Sequence, residues 1–472
     1  MRQEEDSGGR QAKYMTQDTI CAISTPLGQG GIGIIRISGP LALSIGKSLF
    51  MSSKNITQIK PYRLYHGYIK SSKGVILDEV LVSYMPGPGS YTGEDVFEIN
   101  CHGGPVVVKA VLEEVVKKGA RVAKPGEFTM RAYLNNKIDL SKAEAIYEII
   151  SCKGEKGLFF ASTKLGGALK QKIDFIKDRL AHIMAEVVAE MDFDEEIEEF
   201  DPDKIQIELS SILEEIDYLI ENNKRYSPLV EGAKVVLCGE VNAGKSSILN
   251  AILGKERAIV TPIPGTTRDF IEESINIQGI PVKIIDTAGI RKSKDEIEII
   301  GVKKGLELIN EADLMVLVFD ISKNISDEVK DIICLKEKNK IISVANKIDI
   351  PKEKHKTEQI DFFKQNGIEV ICVSAKTGEN IKGLVEAIGK KIIGDNIEPP
   401  PNEIVPNLRQ TQELKQAKKE LTAILDLLSH NPEIDLIYTH LENSVKHLKE
   451  ITGEITTEDI LDKVFSNFCI GK

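Results

Sequence analysis

The chain has 472 residues. At about 100–200 residues a domain, two to four domains are expected. Hydrophobic residues make up 42% and charged residues 28% of the sequence, which is typical of a globular protein, and no run of about 18 apolar residues predicts a membrane span. The formal net charge of -11 disfavours non-specific binding to nucleic acid, so an RNA substrate would have to meet a local basic patch or a basic partner.

Cysteine content and the amino terminus indicate the compartment. The seven cysteines form no pair with metal-ligand spacing, which fits a reducing cytosol. The first residues, MRQEEDSGGRQAKYM, lack the apolar core of a signal peptide. We therefore expect a cytoplasmic protein in which residues 1–14 form a disordered extension.

Four regions differ in pattern along the chain. Residues 15–137 carry many glycines and short β-branched runs, such as GIGIIRIS, which predict an α+β domain. Residues 138–228 show helical periodicity. Residues 229–396 alternate strand and helix patterns, as in a parallel α/β sheet, and residues 397–472 become helical again. The predicted fold is multidomain: an α+β domain followed by an α-helical domain that an α/β domain interrupts.

A phosphate-binding motif opens the α/β region. The sequence AKVVLCGEVNAGKSSILNAIL reads as a strand, then Gly239-x4-Gly244-Lys245-Ser246, then a helix, which is the P-loop in its required context. Its glycines let backbone N–H groups approach phosphates, and the helix N-terminus favours their charge. Lys245 is expected to neutralise the β- and γ-phosphates, and the Ser246 hydroxyl to bind Mg²⁺.

Three further motifs follow in the order found in GTPases. Asp286 of DTAG ends a strand and is suited to hold Mg²⁺ through water. Asn346-Lys347-x-Asp349 resembles the guanine-recognition motif of the GTPase superfamily, because a carboxylate at Asp349 can accept from guanine N1–H and N2–H₂. This order predicts GTP as the substrate. The predicted nucleotide-binding residues are Asn242, Ala243, Gly244, Lys245, Ser246, Ser247, Thr261, Thr266, Thr267, Asp286, Thr287, Ala288, Gly289, Asn346, Lys347, Asp349, Ser374, Ala375 and Lys376.

The segments after the P-loop predict how hydrolysis works. Thr267 in TPIPGTTRD is expected to ligate Mg²⁺ and to sense the γ-phosphate. Ile290 follows DTAG at the position where Ras-like enzymes use a glutamine to orient water, which an isoleucine cannot do. Asn242 is then a candidate ligand for a monovalent cation. Glu298 is a candidate for placing the water, although its spacing alone favours an exposed acid at a helix start.

At this point the sequence resembles the MnmE (TrmE) family of tRNA-modification GTPases. The resemblance rests on IIRISGP, SYTGEDVFEINCHGG, GEVNAGKSS, DTAGIR and the terminal FCIGK. It implies a cytosolic homodimer with a folate-binding and dimerising N-terminal domain, a helical domain and an inserted G domain. It also implies a heterotetramer with the FAD-dependent MnmG partner. Together these would add an aminomethyl or carboxymethylaminomethyl group to C5 of the wobble uridine of tRNA, with the one-carbon unit coming from 5,10-methylenetetrahydrofolate.

The same resemblance implies further site residues. The K⁺ ligands would be Asn242, Thr261, Ile263 and Thr266, the Mg²⁺ ligands Ser246 and Thr267, and the catalytic glutamate Glu298. The folate contacts would be Arg36, Glu98, Lys137 and Lys472. Cys469 matches the family's terminal cysteine. Two interpretations stay open: the thiol takes part in the modification, or it is inert.

Some patterns stay open at the level of sequence. The glycine pattern from Gly28 to Gly33 matches a dinucleotide fingerprint, but a strand-like run follows it where a helix is required. Basic residues between Lys117 and Lys142 could meet tRNA or the folate tail, or form a solvated face. The acids between Asp192 and Asp203 favour an exposed helix end over a metal site. The alternative function is a regulatory switch GTPase in ribosome assembly.

Overall fold

A computed structural model describes most of the chain. The described residues are 18–54, 58–152, 154–192, 201–255, 272–277, 279–286, 308–351, 357–393, 403–430 and 434–472. The predicted extension 1–14 lies outside them, as does much of the acidic run. Among the described residues, no helix combines the length and the apolar character needed to cross a bilayer.

The strands have the following bounds: β1 Ile20–Ile23, β2 Gly30–Ser38, β3 Phe50–Ser52, β4 Tyr65–Lys70, β5 Ile76–Met85, β6 Val96–Gly103, β7 Arg121–Val122, β8 Ala233–Gly239, β9 Glu272–Ile277, β10 Ile280–Asp286, β11 Leu314–Asp320, β12 Ile341–Asn346 and β13 Glu369–Val373.

The α-helices have the following bounds: α1 Ala42–Leu49, α2 Pro105–Lys117, α3 Glu127–Leu134, α4 Leu140–Ser151, α5 Glu155–Leu165, α6 Ala168–Asp192, α7 Pro202–Val230, α8 Lys245–Lys255, α9 Asp327–Ile333, α10 Thr357–Gln365, α11 Ile381–Ile393, α12 Leu408–His430, α13 Ile434–Thr452 and α14 Glu458–Ser466.

The chain divides into two compact units. One comprises the described residues of 1–147, 169–209 and 416–472, so both ends of the chain contribute to it. The other comprises the described residues of 148–168 and 210–415 and contains the P-loop.

The first unit is built on a mixed sheet in the order β3-β4-β5-β6-β2-β1-β7, antiparallel except for the parallel β1–β7 pair. Side chains alternate along β2, where Ile35 and Ile37 are buried among α1 and α2 residues. Arg36 therefore lies on the opposite face, directly across from Glu98 on β6. The sheet places these two predicted site residues side by side.

The glycine pattern from Gly28 to Gly33 runs into β2 and not into a helix. The strand continues to Ser38, antiparallel to β6. A dinucleotide fingerprint needs the N-terminus of a helix to receive the pyrophosphate. The segment therefore lacks the local structure of such a site.

The second unit carries a sheet in the order β13-β12-β11-β8-β10-β9, parallel apart from the β9–β10 hairpin. Every residue of β11, LMVLVFD, is buried, as expected for a central strand covered on both faces. The carboxyl ends of parallel strands meet at one edge of a sheet, where open α/β folds bind their ligands. The P-loop, Asp286, Asp320 and Asn346 all lie at this edge.

Candidate functional site

The P-loop joins β8 to α8 and depends on two glycines. Gly239 and Gly244 have φ values of +128° and +97°, which L side chains rarely adopt. A Cβ at position 239 would lie 2.0 Å from the Val318 carbonyl oxygen, and one at 244 would lie 2.3 Å from Asn346 Nδ2. The loop can therefore lie against its neighbours only because both residues lack a side chain.

The P-loop lysine is held by the loop itself. Lys245 is buried, and its Nζ donates to the carbonyl oxygens of Gly239 at 2.9 Å and Glu240 at 2.8 Å. A P-loop lysine contributes a point charge to the β- and γ-phosphates. These two hydrogen bonds keep the charge of Lys245 within the P-loop.

Two oxygen ligands suited to Mg²⁺ lie together. The Ser246 hydroxyl, in the first turn of α8, donates to Asp286 Oδ2 at 2.6 Å. Asp286 ends β10 and is buried. A hydroxyl and a carboxylate are hard oxygen donors of the kind that Mg²⁺ prefers. The described residues therefore fit the ion, while the third predicted participant, Thr267, lies outside them.

The predicted base-recognition residues come from the last residue of β12 and from the loops after β12 and β13. Asn346 Nδ2 donates to the Ala243 carbonyl oxygen at 2.8 Å, and its Oδ1 accepts from the Ala375 N–H at 3.1 Å. The Ser374 hydroxyl donates to Asp349 Oδ1 at 2.7 Å. Asn346 thus connects the P-loop to the last motif, and Asp349 is oriented by Ser374.

Lys347 connects the same motif to the P-loop a second time. Its Nζ donates to the Asn242 carbonyl oxygen at 3.0 Å and pairs with Asp320 Oδ2 at 2.6 Å. Sequence reasoning did not single out Asp320, which ends β11. Burial raises the pKa of this carboxyl, but hydrogen bonds from Lys347 and Ser322 outweigh burial, so the net pKa is lowered.

The structure describes only some of the other predicted nucleotide-binding residues. Asn242, Ser247 and Lys376 are exposed. The remaining predicted residues lie outside the described part of the chain: Thr261, Ile263, Thr266, Thr267, Thr287, Ala288, Gly289 and Glu298.

A second group of predicted residues gathers in the first unit, around the C-terminal tail. Arg36 Nε pairs with Glu98 Oε1 at 2.7 Å, and Arg36 Nη1 donates to the Gly471 carbonyl oxygen at 3.4 Å. The Ser24 hydroxyl donates to the same oxygen at 3.2 Å. The Phe128 N–H donates to the Lys472 carbonyl oxygen at 3.1 Å. The tail therefore lies against the Arg36–Glu98 pair.

Lys137 holds a neighbouring loop. Its Nζ donates to the Pro88 carbonyl oxygen at 2.8 Å. The same loop carries Tyr91, whose hydroxyl lies 3.0 Å from Thr129 Oγ1. Burial raises the pKa of Tyr91, and the nearby positive charge of Arg36 opposes this rise. Tyr91 was not predicted from sequence, and it joins the loop held by Lys137 to the surroundings of Arg36.

Cys469 is exposed at the start of the tail. Its carbonyl oxygen accepts from the Lys472 N–H at 3.3 Å, and the next residue, Ile470, forms an isolated bridge with Pro125. These backbone contacts hold the segment that carries the exposed thiol against Pro125.

Part of the basic run that begins at Lys117 forms ion pairs within the first unit. Lys117 pairs with Glu114 at 2.8 Å. Arg131 is only 5% exposed and contacts both Asp18 and Glu127. Arg131 is thus held inside the domain, whereas Lys118 and Lys124 of the same run are exposed.

Fold and site together define the class of the protein. A parallel sheet carries at one edge a P-loop, a Ser246–Asp286 pair suited to Mg²⁺, and the Asn346-Lys347-x-Asp349 motif. This combination is that of a P-loop GTPase.

Comparisons with known proteins identify the family. A model described as "MnmE helical domain" matches residues 140–469, and one described as "GTP-binding protein TrmE N-terminus" matches residues 19–137. Proteins named tRNA modification GTPase MnmE from Carboxydothermus hydrogenoformans and Syntrophus aciditrophicus are each 42% identical to the chain, covering 97% of it and 100% of their own length. The chain belongs to the MnmE family of tRNA modification GTPases.

Similarity to solved structures is weaker. A crystal structure of Aquifex aeolicus Era bound to GDP and AlF4⁻ is 28% identical and covers 40% of this chain and 66% of that one, with a TM-score of 0.29. A TM-score this low supports no conclusion, so the family membership stands on the sequence relatives and the family models.

Proposed function

We propose that this protein hydrolyses GTP in a K⁺-stimulated reaction that drives tRNA modification. With the FAD-dependent partner MnmG, it adds an aminomethyl or carboxymethylaminomethyl group to C5 of the wobble uridine, position 34, of certain tRNAs. The one-carbon unit comes from 5,10-methylenetetrahydrofolate, and FAD enters only through the partner. The relatives' shared name, tRNA modification GTPase, supports this reaction class.

In the hydrolysis half, each residue has a distinct task. The loop from Asn242 to Ser247 cradles the phosphates, and Lys245 neutralises them. Asp349 and its orienting partner Ser374 select guanine. Ser246 and Thr267 would hold Mg²⁺, with Asp286 acting through water, and the ion would supply charge neutralisation at the phosphates.

The step that cleaves the γ-phosphate needs a substitute for the Ras-type glutamine, because Ile290 has no polar group. We assign water placement to Glu298. Asn242, with Thr261, Ile263 and Thr266, provides neutral oxygens for K⁺ near the developing charge. Asn242 has a left-handed backbone at φ +64°, and Lys347 fixes its carbonyl.

The modification half rests on one observation above all: the C-terminal tail lies against the Arg36–Glu98 pair on the sheet. Glu98, with Arg36 beside it, is suited to meet the pterin end of a folate by accepting from its amino groups, and Lys137 and Lys472 are suited to meet the glutamyl carboxylates. The tail also carries the exposed Cys469 to the same region, where a thiol could take part in the modification.

The assembly and domain limits are part of the proposal. The N-terminal domain, 15–137, mediates a homodimer, and two such chains form a heterotetramer with MnmG in the cytoplasm. The G domain spans 229–396, and the helical domain combines 138–228 with 397–472.

Calorimetry with 5-formyltetrahydrofolate, a stable analogue, tests the folate assignment. We expect the wild-type protein to bind, Arg36→Ala to bind at least about tenfold more weakly, and Arg63→Ala, an exposed arginine of the same domain, to bind normally. In parallel, GTP hydrolysis is compared in KCl and NaCl, with faster turnover expected in KCl. A folded, GTP-hydrolysing protein that does not bind the folate would favour a regulatory switch GTPase in ribosome assembly.

A further inference from the structure

Asp320 ends the central strand of the GTPase sheet and is only 4% exposed. Its Oδ1 accepts from the Ser322 N–H at 3.0 Å and from the Ser322 hydroxyl at 2.7 Å. Its Oδ2 accepts from Lys347 Nζ at 2.6 Å. Both carboxylate oxygens are therefore fixed, and the charge cannot rotate away from Lys347.

Lys347 is the residue that this carboxylate orients. Its backbone is left-handed, at φ +73°, so its side chain leaves the loop after β12 in a direction that an ordinary backbone would not give. Its ammonium group donates to the Asn242 carbonyl oxygen at 3.0 Å as well as to Asp320. A chain of contacts thus runs from the end of β11, through the base-recognition motif, to the P-loop.

This chain links the part of the site that recognises the base to the part that holds the phosphates. Asn242 also has a left-handed backbone, at φ +64°. This conformation costs an asparagine free energy, so contacts with the surroundings must offset the cost. The Lys347 ammonium group supplies such a contact at the Asn242 carbonyl. The side chain of Lys347 is 37% exposed, so without a buried anion its ammonium group would favour water.

We propose that Asp320 is a positioning residue for guanine nucleotides: it holds Lys347 against the P-loop and so fixes the spacing between the base and phosphate subsites. This inference rests on the proposed GTP binding. It assigns Asp320 no contact with the nucleotide. Asp320 acts through Lys347. A change at either residue should therefore remove the same contact and weaken nucleotide binding to a similar extent.

Binding of a fluorescent GDP derivative to Asp320→Asn, Lys347→Met and the double variant tests the proposal. Each single change is expected to weaken GDP binding about tenfold or more, because each removes the same charge-assisted hydrogen bond. The double variant should bind about as well as the weaker single variant. Lys347→Met keeps the aliphatic stem and changes no core residue, so it reports on the contact even if Asp320→Asn folds poorly.

Two comparisons separate positioning from a general loss of structure. Asp313→Asn makes the same change just before the other end of β11, where the carboxylate accepts from the Lys234 N–H at 2.8 Å, and it should leave GDP binding unchanged. Binding of IDP, which lacks the guanine 2-amino group, should weaken in Asp320→Asn by the same factor as GDP. If Asp320 only supported the fold, Asp320→Asn would lower the unfolding temperature, and its loss of GDP affinity would differ from that of Lys347→Met.

Three results would overturn the inference: normal GDP binding by Asp320→Asn, losses that add fully in the double variant, or an equal loss in Asp313→Asn. Failure of the wild-type protein to bind GDP would overturn the proposed function along with it. Normal wild-type binding with an unaffected Asp320→Asn would overturn the positioning role alone.

Discussion

Replacing Gly471 by alanine tests whether the tail builds the folate site. Gly471 has φ +99°, and a Cβ there would lie 2.4 Å from the Ile23 carbonyl oxygen and 3.0 Å from Ser24 Cα. Both atoms belong to the backbone of the sheet region, so the tail must move. The left-handed backbone alone costs an alanine about 1–2 kcal/mol, and the hydrogen bond from Arg36 is lost with the displacement.

Displacing the tail should weaken folate binding and spare GTP hydrolysis. A loss of about 1.4 kcal/mol corresponds to tenfold in affinity, so we expect at least about a tenfold weaker Kd for 5-formyltetrahydrofolate. The assay is calorimetric titration of Gly471→Ala beside the wild-type protein, with the GTP hydrolysis rate measured on the same samples.

Gly74→Ala is the matched control. Gly74 lies in the β4–β5 turn of the same unit and has φ +79°, and a Cβ added there would meet no atom within 4 Å. The substitution therefore introduces similar backbone strain without displacing the tail. The reasoning is refuted if Gly471→Ala binds the folate as the wild type does, or if Gly74→Ala loses as much affinity.

The other predictions concern hydrolysis and stability. Glu298→Ala should slow single-turnover GTP hydrolysis by about 100-fold or more and leave GTP affinity unchanged; near-normal turnover would remove its role. Ser246→Ala should raise the Mg²⁺ concentration required for half-maximal hydrolysis, measured by titration, because the hydroxyl ligand beside Asp286 is lost. Lys164→Met should lower the free energy of unfolding in urea by about 3 kcal/mol, because Lys164 is 1% exposed and is the cationic partner of Glu148; an unchanged midpoint would contradict this.

Local chemistry explains why much of the nucleotide site was predictable. The P-loop is contiguous, and the structure places it between β8 and α8 as its pattern requires. Asn346 ends β12, and Lys347 and Asp349 follow it, so the strand brings all three to the same edge of the sheet as the P-loop. The spacing within each motif can be recognised in the sequence, and the parallel sheet brings the separate motifs to one edge.

Contacts between distant residues were not predictable in the same way. Asp320 meets Lys347 across 27 positions, and a single aspartate at a strand end has no motif. Gly471 meets Arg36 across 435 positions, so only the family resemblance pointed to a shared site. The basic run is a further example. Its charges can be seen in the sequence, but the acidic partners of Arg131 can be identified only in the folded structure.

Tandem mass spectrometry of tRNA nucleosides tests the central claim most directly. A bacterial strain without its own MnmE would receive the wild-type chain, Lys245→Ala or Arg36→Ala at matched expression. We predict that the wild-type chain restores aminomethyl or carboxymethylaminomethyl uridine at position 34 and that neither variant does. A wild-type chain that is folded and hydrolyses GTP in these cells, but leaves position 34 unmodified, would contradict the account.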